Sequence, residues 1–369
     1  MVTLDASDPA GAGLRDAVGD ALEAFLDAAG ATLDDISPRL APVWERARLF
    51  TRGGKRLRPA FCLWGHAAVG GEPSDALVRA AASLDLLHVS ALVHDDVMDA
   101  SDSRRGVPAA HRQFEADHRE AGLRGASEAF GVAGAILLGD LLLVWSDELF
   151  RSSGLDAAAL VRAEPYLQAV RTEVTAGQYL DSLAQAHDPW AIVTGPGGAG
   201  ELIDMIGRVV TYKSACYTVQ RPLNIGGALA GASPEQQDVF TRYGRPLGRA
   251  FQYRDDLLGV FGDESLTGKD SGEDLREGKL TLLLAQTVIN ASEPDAARLA
   301  QLVGRPDLTP AQVDDAREII VSSGAQRLVE EEIERELDAA LAALDGAPLT
   351  SDGVRALTNL AHAAANRAF

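Results

Sequence analysis

The chain has 369 residues, 46% of them hydrophobic, enough to bury one large core or two modest ones. Against 54 Asp and Glu stand 34 Lys and Arg, a formal charge of −20, and so acidic a surface repels phosphate backbones and anionic lipid, so no nucleic-acid partner is expected. The two cysteines, Cys62 and Cys216, lie in apolar stretches without CxxC spacing; they exclude a disulfide framework and read as packing residues in a reducing, cytoplasmic setting.

Residues 1–13 are acidic and rich in small side chains, with neither the basic start nor the apolar core of a secretory signal, and are expected to form a flexible tail. Beyond them apolar residues recur at three- and four-residue spacing almost throughout, Ala and Leu dominate, and alternating β-branched runs are scarce: the class is all-α. Breaks are expected at 70–73, 101–125, 188–200, 231–234, 262–278 and 346–353, each polar or rich in Gly and Pro, with long helices between them. The most apolar run, 131–145, is interrupted by Asp140 and falls short of the roughly 18 residues of a spanning helix, so no transmembrane segment is expected. Thr309-Pro310-Ala311-Gln312 is a capping box opening a helix towards Ser322, and 329–344 reads as an amphipathic surface helix with a solvated Glu/Arg face. No repeat and no linker divides the chain, which reads as a single domain.

Chemistry gathers at three stations. Gly53-Gly54-Lys55-Arg56-Leu57-Arg58-Pro59 begins a helix, where backbone N–H groups and the dipole favour an anion, and Lys55 and Arg58 share a face. His94-Asp95-Asp96-Val97-Met98-Asp99 ends a helix; Asp95 and Asp99 stack one turn apart while Asp96 is rotated about 100° away. Three carboxylates are electrostatically misplaced at a helix C-terminus unless something positive compensates. Magnesium, which joins one or two carboxylates to substrate phosphates, suits the pair, and Arg104-Arg105 just beyond suit a diphosphate. A solvated acidic helix end is the bland alternative. Downstream, Gln252-Tyr253-Arg254-Asp255-Asp256 ends a second apolar helix in paired carboxylates, followed by Lys269 and Lys279 in Gly-rich surroundings, and the two acidic ends could face each other across a cavity.

In the order GGKRLRP, DDxxD with RRG, GQxxD, YKS, and FQxxDD with TGK and DLREGK, these motifs resemble the polyprenyl synthetase family from about Arg52 to about Leu284. The resemblance implies an isoprenoid synthase-type bundle of mostly antiparallel helices around a central cavity, a homodimer, and head-to-tail condensation of isopentenyl diphosphate with an allylic diphosphate. It implies magnesium, three ions with bound diphosphate, held by Asp95, Asp99 and Asp255 with Asp96 and Asp256 in support. It further implies isopentenyl diphosphate on Lys55, Arg58, His88 and Arg105, and the allylic diphosphate clamped by Arg104, Lys213, Lys269 and Lys279. Gln178 and Asp181 match the polar wall near the metals, and Ser214 and Gln252 its remaining polar contacts. Two departures stand out: Gly259, where many members have a third aspartate, and Asp270, where proline is common. Altered metal affinity is expected from them. Ser90 and Ala91, about one turn before Asp95, would form the floor under the growing tail; being small, they leave room for geranylgeranyl diphosphate or longer, unless Leu137, Leu141 or Trp145 plugs the tunnel. The competing readings are a class I terpene cyclase, which would lack the second aspartate motif and the GGKRLRP pocket, and a non-catalytic subunit that tunes product length, which would show eroded carboxylates.

Overall fold

The computed structural model describes residues 3–104, 106–262 and 272–365. Over these the chain adopts the all-α fold that the apolar spacing predicts. In order come α1 (Ala12–Ile36), α2 (Ala41–Thr51), α3 (Leu57–Ala68), α4 (Asp75–Met98), α5 (Ala110–Glu120), α6 (Ser127–Arg151) and α7 (Ala157–Gln185). There follow α8 (Pro189–Thr194), α9 (Gly198–Val209), a π-helical stretch Val210–Gln220, α10 (Arg221–Ala230) and α11 (Pro234–Phe261). The last are α12 (Glu273–Glu277), α13 (Leu282–Asn290), α14 (Glu293–Leu299), α15 (Pro310–Ser322), α16 (Ala325–Ala342) and α17 (Ser351–Ala365). Among the described residues the strands are β1 (Ser103–Arg104) and β2 (Val107–Pro108), an antiparallel pair with Arg104 opposite Val107. The Thr309 capping box forms as expected, the Thr309 hydroxyl accepting from the Gln312 backbone N–H while the Gln312 side-chain Oε1 accepts from the Thr309 N–H. The break expected at 101–125 instead contains α5, whose buried face includes His111, Glu115 and His118 beside Phe114. Polar residues on the inner face hid that helix from a search for apolar spacing. Ion pairs from Arg112 and Arg119 make the burial of Glu115 affordable.

The chain forms two compact units, each assembled from separate stretches: residues 1–166, 222–237 and 348–359 in the first, and 167–221, 238–347 and 360–369 in the second. In the first unit α3 crosses α10 at two glycines. A Cβ on Gly226 would fall 1.8 Å from the Cys62 carbonyl oxygen, and one on Gly65 2.4 Å from that of Leu223, so the backbones touch. Burial in this core pushes the Cys62 thiol up to about 12, as befits an inert packing residue. Within the stretch expected as a tail, Ala6 and Pro9 are docked. Trp64 Nε1 donates to the Pro9 carbonyl at 2.8 Å, Asn359 Nδ2 donates to that of Ala6 at 2.8 Å, and Ala6 is buried. Small residues that looked like tail composition are what close packing requires.

Two helices, α4 and α6, are long and apolar enough by composition to cross a membrane, which the interrupted run 131–145 had not suggested. Most of α4 is buried inside the first unit, whereas α6 exposes Phe130, Ile136, Leu137, Leu143 and Val144. In the second unit the core joins α9, α11, α13, α15 and α16 through Leu202, Ile206, Leu257, Leu283, Ile319 and Val329.

Candidate functional site

In the first unit, Ser74 caps α4 by accepting the Leu77 N–H, and the helix runs unbroken to the acidic end. Asp95 and Asp99 lie one turn apart there, joined by the Asp99 N–H to Asp95 carbonyl bond (2.8 Å), and both are partly exposed. Asp96 is 1% exposed, and Arg104 Nε donates to its Oδ1 at 2.8 Å, with Nη2 donating to the same oxygen. The β1–β2 hairpin aims Arg104 back at the helix end and supplies the positive charge that end requires. Arg104, expected to clamp diphosphate, is thus held on Asp96; Arg105 lies outside the described residues. A cavity of about 150 Å³ adjoins this pair, lined by Leu49, Phe50, Val89, Leu92 and Val93 and edged by Arg52, Asp96, Arg104 and Val107. Lys55 is exposed, and Arg58 and His88 are half-buried. Arg56, which the sequence reading assigned no role, makes a nearly buried ion pair with Asp85, three residues before His88.

Ser90 and Ala91 part company. Ser90 is buried and donates to the Gly139 carbonyl of α6 at 2.7 Å, so it belongs to the α4–α6 seam, while Ala91 stays on the half-exposed side of α4 with His88, Leu92 and Asp95. Of the expected plugs, Leu137 is 66% exposed, Leu141 is half-buried, and Trp145 packs edge-on to Phe25 at 6.3 Å.

In the second unit, Gln178 and Asp181 follow each other on α7, and Asp181, 2% exposed, accepts from Lys213 Nζ at 2.5 Å and from Gln185 Nε2 at 3.1 Å. Lys213 and Ser214 lie in the π-helical stretch; a Cβ on Gly177 would meet the Lys213 backbone nitrogen at 2.3 Å, so α7 lies directly against the peptide that carries this lysine. π-Helical turns are rare and concentrate at functional positions. Ser214 Oγ donates to Gln252 Oε1 (2.6 Å), and Gln252 Nε2 donates to Asp256 Oδ1 (2.8 Å). A relay of side chains therefore links the π-helical stretch to the second carboxylate pair.

On α11 the pattern of the first motif repeats: Asp255 is partly exposed and Asp256 is buried. Burial pushes Asp256 up to about 7, opposed by Lys279, whose ammonium lies 3.9 Å away. Asp274, also 3.9 Å from Lys279, raises that ammonium well above its ordinary value. Arg254, beside Asp255, is pinned by two hydrogen bonds to Glu330 (2.7 and 2.6 Å) and one to the Ala365 carbonyl (2.9 Å), and Arg249 pairs with Glu336. The Glu face of α16, expected to be merely solvated, thus braces the helix that presents Asp255. Lys269 and Asp270 lie outside the described residues.

The departure at Gly259 has a physical reason: a Cβ there would fall 2.3 Å from Asp274 Oδ2, so the Asp274 carboxylate fills the space. Restoring an aspartate, Gly259→Asp, is expected to cost about 1–3 kcal/mol of stability by overpacking and to reduce turnover through displaced Asp274 and Lys279. Melting curves with a magnesium titration check this; an unchanged Tm with tighter magnesium binding would show that Asp274 yields freely.

Among the described residues no three His, Cys, Asp or Glu side chains converge as a metal cage. The arrangement nevertheless fits magnesium, a hard ion that takes one or two carboxylates and completes its shell with water and substrate phosphates. Partly exposed Asp95, Asp99 and Asp255 offer such oxygens, each beside a buried aspartate held by a cation.

The described residues define an all-helical protein with two acidic helix ends, each carrying a buried aspartate faced by a cation. The chain belongs to the polyprenyl synthetase family, whose model matches residues 46–320. A short chain isoprenyl diphosphate synthase of Methanothermobacter thermautotrophicus is 33% identical over 294 residues, 80% of this chain and 80% of that protein. A geranylgeranyl diphosphate synthase of Methanosarcina mazei is 32% identical over 298 residues, 80% of this chain and 81% of that one. The crystal structure of geranylgeranyl pyrophosphate synthase from Corynebacterium glutamicum, complexed with isoprenyl diphosphate and magnesium, matches with a TM-score of 0.90 and 38% identity, covering 99% of this chain and 100% of that one.

Proposed function

We propose that this protein is a magnesium-dependent trans-prenyltransferase that adds isopentenyl diphosphate head to tail to an allylic diphosphate. The observation that carries the reading is the end of α4, where two partly exposed carboxylates one turn apart sit beside a third that is buried on Arg104.

Asp95, Asp99 and Asp255 would hold magnesium, which would supply Lewis-acid neutralisation of phosphate oxygens. Lys213 and Lys279 stabilise the negative charge that grows on the leaving diphosphate as its C–O bond breaks to give an allylic cation. Asp181 and Asp274 fix those two lysines in place. Lys55, Arg58 and His88 hold isopentenyl diphosphate so that its double bond attacks the cation, and the departed diphosphate takes the proton released when the new double bond forms. No side-chain nucleophile is needed. Arg104 and Arg105 complete the two diphosphate sites, Lys269 joins the allylic clamp, and Gln178, Ser214 and Gln252 order the polar surroundings. We take the metal complement to be three ions, countable by elemental analysis of the pyrophosphate-bound protein.

The product is assigned as geranylgeranyl diphosphate or longer, supported by the small Ala91 on the half-exposed side of α4. Ala91→Phe is expected to shorten the main product by one or more five-carbon units with little loss of total isopentenyl incorporation. Chromatography of the dephosphorylated alcohols reads this directly, and an unchanged product would move the floor away from Ala91.

The exposed apolar residues of α6 recur at seven-residue intervals, Phe130, Leu137 and Val144 with Ile136 and Leu143 beside them, which places them two turns apart on one face and suits a self-complementary, two-fold contact between two copies of the chain. A Leu137→Glu, Val144→Glu double variant should run as a monomer in light scattering where the parent runs as a dimer. The buried, unreactive thiols suit the cytoplasm, which cell fractionation tests.

The deciding experiment supplies purified protein with magnesium, labelled isopentenyl diphosphate and dimethylallyl, geranyl or farnesyl diphosphate in turn. Magnesium-dependent elongated alcohols support the proposal. Absence of elongation with every primer would overturn it, and hydrocarbons in place of alcohols would turn the assignment to a cyclase.

A further inference from the structure

Arg56 adopts φ 51° and ψ 36°, the left-handed region, without being glycine. A side chain with a Cβ is uncommon there and strains the backbone. The two residues before Lys55, Gly53 and Gly54, also take positive φ and are glycines, so the loop uses glycine elsewhere but keeps arginine at this position.

What the side chain does accounts for its retention. Its Nη1 donates to Asp85 Oδ2 at 2.8 Å and its Nη2 to the Thr51 carbonyl at 2.8 Å, with the two paired side chains 9% and 6% exposed. Its own carbonyl accepts the Ala60 N–H at 2.9 Å, which starts α3. One residue thereby ties the end of α2, the start of α3 and the middle of α4. Asp85 precedes His88 by three positions, on the same side of α4. Arg56 is flanked by exposed Lys55 on one side and, two residues on, by half-buried Arg58.

We infer that Arg56 and Asp85 form a strut that positions Lys55 and Arg58 against His88, and so sets the isopentenyl diphosphate site without touching the ligand; this rests on the prenyl-transfer reading above. Removing one member of a nearly buried pair leaves the other charge stranded, and the distortion falls on the loop that carries the two basic groups.

The test uses Arg56→Gly, which keeps the left-handed backbone but deletes the guanidinium, and Asp85→Asn, which keeps the shape but deletes the charge. Isopentenyl diphosphate binding is followed by calorimetry and turnover by product formation, with the parent protein alongside. Each variant should bind isopentenyl diphosphate about tenfold or more weakly, with the KM for the allylic substrate and kcat at saturation changing less than about twofold. If Arg56→Gly fails to fold, Asp85→Asn carries the comparison alone. Unchanged isopentenyl diphosphate affinity, or a fall in both substrates' affinities in step with a lower Tm, would overturn the strut. Failure of the parent protein to bind or elongate isopentenyl diphosphate would instead overturn the prenyl-transfer reading on which it stands.

Discussion

Asp95→Asn is expected to lower kcat by about 10²–10³-fold, the scale of losing one preorganised electrostatic group, and to raise the magnesium concentration needed for half-maximal rate. Asparagine preserves the side chain's shape but removes the negative charge that would attract the metal. The loss should be functional with little change in folding, because Asp95 is partly exposed at a helix C-terminus, where removing an anion relieves the helix dipole. Asp96 gives the contrasting case: it is buried on Arg104, so Asp96→Asn should lower Tm as well as rate. Steady-state kinetics over a magnesium titration, with thermal melts of both variants, separates the two roles. An Asp95→Asn protein with the parent's kcat and metal dependence would remove Asp95 from the ligand set.

Gly226→Ala is expected to destabilise the first unit by about 3 kcal/mol or more, the upper end of the cost of overpacking a filled core. The added Cβ would sit 1.8 Å from the Cys62 carbonyl oxygen and 2.9 Å from the His66 nitrogen, both backbone atoms of α3, which cannot turn away as a side chain would. Relief requires α3 and α10 to separate, stripping contacts from Phe61, Leu63 and Leu223. Thermal or urea unfolding measures the loss. A Tm within a degree of the parent's would mean that the two helices part without cost.

The sequence made the helical class, the Thr309 capping box and the unlike orientations of Asp95, Asp96 and Asp99 legible because each depends on local spacing. At 3.6 residues per turn Asp96 must point away from Asp95 and Asp99, and it does so into the interior. What stayed hidden depends on partners far along the chain. Arg56 meets Asp85 across 29 residues, Arg254 meets Glu330 across 76, and no periodicity encodes either pairing. The π-helical stretch around Lys213 was also invisible, because its geometry is set by packing against Gly177 and Gly248 rather than by intrinsic preference. Gly259 was noticed as a departure, but its cause, the Asp274 carboxylate filling its place, is a tertiary fact.

The docked ends of the first unit bear on how the protein is made. Asn359 bonds Ala6 across 353 residues, and the Thr350 N–H donates to the Ala68 carbonyl. A chain emerging from the ribosome at about 5–20 residues per second would finish its first helices long before the segment that seals them exists. Contacts this distant in sequence carry a loop-closure cost that slows folding. The first unit must therefore wait, incomplete and with apolar surface showing, until Asn359 has been added, and that interval is when a chaperone would matter most to it.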